Sequence, residues 1–209
     1  MVPGTSSKAE QLDLHQRLRH NFATMSEPTY SLHRWTRNEY DRMVETGVLS
    51  PGARLELLDG EIVEMSPQKS PHASAVDLVE EVLRGGFGEG FYVRGQKPLT
   101  LDDYSEPEPD VAVVKGTIRD YADHHPRTAV LIVEVADTTL AYDRLNKAAA
   151  YARNAIPEYW ILNLRDRLLE VHRNPVGGAY TERTPLGAGE AVSPLAAPAL
   201  RAKVAAFLP

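Results

Sequence analysis

Two periodicities in the hydrophobic positions assign most of this chain's elements. The longest apolar run, Ala129 to Val135, contains Ala, Val, Leu and Ile with one carboxylate, Glu134. That composition predicts a central strand buried on both faces. A shorter run, Val111 to Val114, predicts a neighbouring strand that begins at or just after Asp110. Arg54 to Leu58 alternates, Asp59 and Gly60 form a hairpin signal, and Glu61 to Met65 returns as the partner strand. Short strands are expected at Phe91–Arg94 and Pro98–Leu101. A hairpin is expected from Glu158–Leu164 and Leu168–His172, turning at Arg165–Arg167, with a further strand at Ala179–Thr184.

Helical spacing appears in three places. Thr36 to Glu45 carries Thr36 and Glu39 at capping-box separation, with Gly47 closing the helix. Pro71 opens a second helix running to about Leu83, with Ala75, Val76, Val79, Val82 and Leu83 on one stripe. The third spans Ala141 to Asn154, where Leu145, Ala148, Ala149 and Ala152 predict close packing on the sheet. Gly85–Gly90 follows a helix and lacks the Lys-Ser/Thr of a phosphate loop, so it is expected to be a helix stop and a turn. Leu200–Phe207 is expected to cover a sheet edge. These elements predict a mixed α/β sheet with flanking helices and added hairpins, in one domain over residues 30–209. Residues 1–29, polar and with a helical stretch at Ser7–His20, are expected to form a flexible extension.

The carboxylate inside the longest run is the main chemical clue. Side chains alternate along a strand, so Val130, Ile132, Glu134 and Ala136 are expected to share a face. An ionised carboxyl there is costly unless it is paired, protonated or bound to a metal. Asp110, at the start of the neighbouring strand, is placed to converge on Glu134. Two such acids repel, and a divalent cation resolves that repulsion; oxygen ligands favour Mg²⁺ or Mn²⁺ over Zn²⁺. Lys147, one turn after Asp143 on the following helix, is placed to turn back toward them. Asp, Glu, Lys and a hard cation suit phosphodiester hydrolysis. Each residue also has an ordinary reading. Asp110 could simply open a strand, Glu134 could pair with a buried Arg, and Asp143 with Lys147 could be a surface i,i+4 pair. His72, in the first turn of its helix, could face the cleft and touch a phosphate, or be structural.

In this order and at these spacings, the residues resemble the PD-(D/E)XK nuclease superfamily, through Pro109 and Asp110 followed by Glu134, Val135 and Ala136. More narrowly, the chain resembles the Uma-two family, whose members are described as restriction endonucleases. The matching segments are Arg54–Pro67 (RLELLDGEIVEMSP), Pro107–Val114 (PEPDVAVV), Val133–Thr139 (VEVADTT), Tyr142–Lys147 (YDRLNK) and Ile156–Ile161 (IPEYWI). The resemblance runs from about Tyr30 to the C-terminus. It implies a restriction-endonuclease-like core, a Mg²⁺- or Mn²⁺-dependent endonuclease acting on DNA, and catalytic roles for Asp110, Glu134 and Lys147. It also implies a third acid at Glu56 and a place near the cleft for Gln96; from their positions, His72 and Asp143 are expected as substrate contacts. Glu56 shares a strand face with Arg54, so a simple Arg54–Glu56 pair is the competing reading. The chain departs from the superfamily at the third position of the triplet, where Ala136 stands in place of Lys. In the family the lysine comes from the next helix, which matches Lys147.

Composition adds boundaries. The 209 residues carry a net charge of −6, against a general nucleic-acid coat protein but compatible with a nuclease whose acids cluster at Asp102, Asp103, Glu106, Glu108 and Asp110. With no cysteine, disulfides and thiolate metal sites are excluded. No run is long enough for a membrane span and no signal peptide is evident, so a cytoplasmic location is expected. A homodimer is expected from the habit of the fold, with Glu158–His172 as the candidate surface. The competing function is a catalytically idle binding or assembly module on the same fold. A two-carboxylate glycoside hydrolase fits poorly, because it leaves Lys147 without a role.

Overall fold

The computed structural model describes residues 31–50 and 52–209. The expected extension 1–29, with its helical stretch, lies outside the described residues. The unit Arg34–Pro209 carries all the elements below. Its centre is a six-stranded mixed sheet in the order β3-β4-β5-β6-β7-β8, made of β3 (Phe91–Gly95), β4 (Val111–Lys115), β5 (Leu131–Ala136), β6 (Glu158–Asn163), β7 (Leu168–Val176) and β8 (Ala179–Gly187). All neighbours are antiparallel except β5 and β6, whose parallel pairing needs a crossover. The two central apolar runs are adjacent strands, as the sequence predicts.

The helix α1 (Arg37–Glu45) begins at Thr36 with the capping box made in both directions. The hairpin β1 (Leu55–Leu58) and β2 (Glu61–Glu64) turns through Asp59 at φ 54° and Gly60 at φ 81°, the left-handed pair that an Asp-Gly turn supplies. It forms a separate two-stranded sheet. The helix α2 (Ser70–Gly86) runs one turn past the expected stop, so Gly85 and Gly86 are helical. The crossover comprises α3 (Leu140–Tyr142), a π turn (Asp143–Lys147) and α4 (Ala148–Arg153). A last pair, β9 (Ala191–Val192) and β10 (Ala202–Lys203), precedes a 3-10 turn at Val204–Phe207.

Alternation on the strands divides the core in two. Val111, Val113, Leu131, Val133, Val135, Trp160 and Leu162 pack against α2 and the C-terminal turn. Ala112, Val114, Ile132, Ala136, Tyr159 and Ile161 pack against the crossover through Ala148, Ala150 and Tyr151. Among the described residues, no helix is long and apolar enough to cross a membrane.

Several expectations need correction. Pro98–Leu101 is irregular, because the Leu99 and Leu101 amides bond to Pro107 and Ser105 outside any ladder. Val130 precedes β5 and packs with the α2 face, not beside Glu134, because regular alternation starts only at Leu131. Leu145 is 70% exposed. The wider π turn carries it outward, and close packing falls to Ala148, Ala150 and Ala152. Phe207 packs on Trp160 over a face of the sheet and does not cover its edge. The candidate dimer surface is likewise overturned. β6 is interior, and Tyr159, Trp160, Ile161 and Leu162 are buried within the monomer, leaving no apolar face there for a partner.

Candidate active site

The site forms at the carboxyl end of β5, where elements from both faces of the sheet meet. The antiparallel register pairs Val111 with Val133, so one step further sets Asp110 opposite Glu134. Their backbone and side chains interlock. The Asp110 amide donates to Glu134 Oε2 (3.3 Å), and the Val135 amide donates to Asp110 Oδ2 (2.9 Å). From one face, the start of α2 places His72 Nε2 3.3 Å from Asp110 Oδ2. From the chain just after β3, Gln96 Nε2 donates to Asp110 Oδ1 (3.3 Å). Gln96 takes φ 47°, a left-handed conformation at the turn out of β3.

From the other face comes Lys147. Its ammonium is buried and lies 3.0 Å from Glu134 Oε1 and 3.3 Å from Glu56 Oε2. This is well within the roughly 6 Å that a lysine on the crossover spans toward the strand. Glu134 therefore pairs with a lysine and not with a buried arginine. Glu56 reaches the same point from β1 and accepts the Glu108 amide (3.1 Å). Arg54 donates instead to the Ser66 carbonyl (3.4 Å). The structure thus brings Glu56, His72, Gln96, Asp110, Glu134, Asp143 and Lys147 into one neighbourhood, and all but Gln96 line a single cleft of about 590 Å³.

Asp143 and Lys147 do not form the i,i+4 surface pair that is the ordinary reading of their spacing. The π turn widens the helix so that both point inward, at 3% and 5% exposure. Single π turns inside α-helices recur at functional sites. Asp143 accepts from Thr139 Oγ1 (2.7 Å), and its main-chain carbonyl accepts from Tyr159 (3.1 Å). Arg144, in the same turn, donates from Nε to both oxygens of Glu170 on β7 (3.1 Å each). Arg183 closes on Glu170 from β8 (2.6 Å).

Burial disfavours ionised Glu170, but Arg144 and Arg183 outweigh it and hold the carboxyl below its ordinary range. A depressed carboxyl stabilises the fold above its ordinary pKa, and this is lost as pH falls through the folded value. Glu170→Gln is expected to cost about 1–2 kcal/mol near neutral pH, a modest figure because both arginines are partly solvated. In denaturant titrations the gap to wild type should close in acid; a gap independent of pH would contradict this anchor.

The charges explain the titration of the cluster. Burial opposes ionisation of Asp110, but His72, the Val135 amide and Lys147 hold its carboxyl below the usual range. Burial pushes Glu134 upward; Lys147 counters this, and Asp110, Asp143 and Glu56 add to the rise. Burial also raises Asp143 and Glu108, the latter with help from Glu56. Lys147 is desolvated, yet the surrounding acids raise its pKa well above the ordinary value, so it stays charged. His72 is raised because its bond to Asp110 outweighs burial. Five carboxyls thus face one lysine and one histidine, a surplus of negative charge. Among the described residues, no group of three or more His, Asp or Glu side chains is arranged to hold a metal ion.

Sequence reasoning missed Tyr151 and Tyr142 as members of the site and placed Glu108 only within a cluster of acids. Tyr151 donates to Glu134 Oε1 (2.7 Å), and its signal is its place four residues beyond Lys147. Glu108 lines the cleft, two residues before Asp110 on an extended segment. Tyr142 also lines it, with a buried hydroxyl that has no partner among the described residues.

Comparison with solved structures finds the same fold in a protein described as "a putative nuclease belonging to DUF820" from Anabaena variabilis ATCC 29413. The match has a TM-score of 0.65 at 14% identity and covers 82% of this chain and 96% of that one. A weaker match, at TM-score 0.40 and 17% identity, is to the type IIG restriction endonuclease BpuSI; it covers 68% of this chain and 16% of that one. No curated protein matches. The sequence profile of the Uma2 family, described as "Putative restriction endonuclease", matches residues 37–205, from the first residue of α1 to the C-terminal turn, and the chain therefore belongs to the Uma2 family.

Proposed function

We propose that this chain is a metal-dependent endonuclease that hydrolyses phosphodiester bonds of DNA. The observation that carries this is the buried Lys147 ammonium between Glu134 and Glu56, with Asp110 held opposite Glu134. The residues fit a hard divalent cation on two counts. Every anionic donor at the site is a carboxylate, and the carboxyls outnumber the cations. Mg²⁺ is commonly held by one or two carboxylates, with waters and substrate phosphate filling its other positions, so a closed three-donor cage is not required. Asp110 and Glu134 would hold it, and Mn²⁺ would suit the same oxygens.

When bound, the cation supplies charge that acidifies water and offsets charge developing on the phosphoryl group. The chain's own residues do the remaining work. His72 and the Val135 amide keep Asp110 ionised and oriented. Tyr151 and Lys147 fix one oxygen of Glu134, leaving the other toward Asp110. Lys147, charged and desolvated, donates to a non-bridging phosphate oxygen as negative charge builds there, where a low dielectric strengthens the interaction. Gln96, His72 and Asp143 border the bound strand.

Nicking of supercoiled DNA by wild type and by Asp110→Asn, in Mg²⁺ and in Mn²⁺, tests this alongside calorimetric metal titration. Cation-dependent cutting and metal heat are expected for wild type, and loss of both for Asp110→Asn. Wild-type metal binding with no cutting under any condition would replace the endonuclease with a binding module on the same fold.

A further inference from the structure

The acidic floor of the cleft does not explain its mouth. Arg54, at the foot of β1, lines the cleft within electrostatic reach of Glu108, and among the described residues it makes one hydrogen bond, from Nη1 to the Ser66 carbonyl at 3.4 Å. Its Nε and Nη2 donors are left over, on a group whose planar fork suits bidentate binding of phosphate. Across the segment Met65–Lys69, Lys69 also lines the cleft. Its side chain is 73% exposed and loosely paired, 3.7 Å from Asp137. Between them Gln68 has a side-chain amide nitrogen shielded from solvent and without an acceptor among the described residues. Lys69 is also the residue that opens α2, a 17-residue helix with no side-chain cap and no acid in its first turn. Its dipole therefore adds positive potential at the same place. Every one of these groups is a donor or a positive end, and among the described residues their partners stop at the Ser66 carbonyl and Asp137.

We infer that Arg54, Gln68 and Lys69 form a phosphate-holding rim that grips the DNA backbone beside the scissile bond. The inference rests on the endonuclease reading of the acidic floor and adds to it the residues that position the substrate. A strand held there has one phosphate on the cationic rim while a neighbouring phosphate lies over Asp110, Glu134 and Lys147. This arrangement resolves a conflict of charge. A protein of net charge −6 with seven carboxyls lining its cleft repels a polyanion, and local cations at the entrance offset that repulsion where the strand must enter. The rim acts on binding and alignment, so its loss should raise KM more than it lowers kcat.

The test is anisotropy of a short labelled DNA duplex with the full chain, in calcium instead of magnesium, across about 50–200 mM salt. Each phosphate contact contributes close to one unit to the slope of log K against log salt. Arg54→Ala/Lys69→Ala is therefore expected to flatten the slope by about two and to weaken binding roughly tenfold or more. Arg54→Lys/Lys69→Arg should keep the slope, which a purely structural role would not predict, and thermal melting of both pairs checks that they fold. An alanine pair with the wild-type slope and affinity overturns the rim, as does a wild type with no salt-dependent DNA binding. If wild type cuts DNA and the alanine pair binds normally, the rim falls and the endonuclease stands. If wild type never cuts but the slope shifts, the rim stands and the endonuclease falls.

Discussion

Lys147→Met is expected to lower the rate of DNA cleavage about 10²–10³-fold, the usual loss when one preorganised donor to developing charge is removed. The metal should still bind, because Asp110 and Glu134 remain. The same substitution should also destabilise the fold. Glu134 and Glu56 both lean on this ammonium, and all three side chains are buried. Removing one partner of a buried ionic cluster costs about 3–5 kcal/mol at neutral pH.

The cost has a definite pH dependence. Glu134 already carries a raised pKa, and losing the lysine raises it further. A carboxyl raised by folding binds more protons in the native than in the unfolded state, so stability increases as pH falls from the raised value toward the ordinary one. Below about pH 8 both proteins keep that proton, so in denaturant titrations the deficit of the variant should shrink as pH falls toward 8 from the alkaline side and level off below it. A rate unchanged by the substitution would remove Lys147 from the chemistry; a deficit that grows in acid would contradict the charge account.

Trp160→Ala should cost about 3–5 kcal/mol, the range for emptying a buried aromatic site. The side chain is 1% exposed, its ring meets Phe207 edge-on at 6.0 Å, and its Nε1 donates to Glu158 (2.9 Å). Glu158 is itself buried and keeps Arg173 and the Leu195 amide, so the loss is chiefly one of packing. The denaturant midpoint should fall sharply, with the mass by light scattering unchanged. A change of mass with little change of midpoint would return this strand to the role of a dimer face.

The parts of the fold that obey a short-range rule were legible from sequence. The two apolar runs pair as neighbours, Asp59 and Gly60 make the hairpin, and Thr36 with Glu39 makes the capping box. Within the candidate site, the buried position of Glu134 and the approach of Lys147 followed from the cost of an unpaired carboxylate on a central strand. The rest depends on three-dimensional packing. The π turn has no local signature, so Leu145 was expected to pack inward, yet it points to solvent. Tyr151 reaches Glu134 because the widened turn resets the face of the helix. Trp160 and Tyr159 look the same in a sequence whether they fill a core or wait for a partner. Only the position of β6 between β5 and β7 separates the two.

The parallel pairing of β5 with β6 forces the chain through the crossover immediately after Glu134, and this loosens the usual tie between motif and chemistry. Ala136, where the resemblance to PD-(D/E)XK nucleases calls for a strand lysine, is fully buried beneath the crossover, and the ammonium arrives from eleven residues further along that same crossover at Lys147. A pattern search that insists on a lysine two places after the glutamate passes over this chain, although an ammonium lies 3.0 Å from Glu134. Screening genomes for such proteins is better served by a spatial query, a charged nitrogen about 3 Å from a strand glutamate, than by a string of letters.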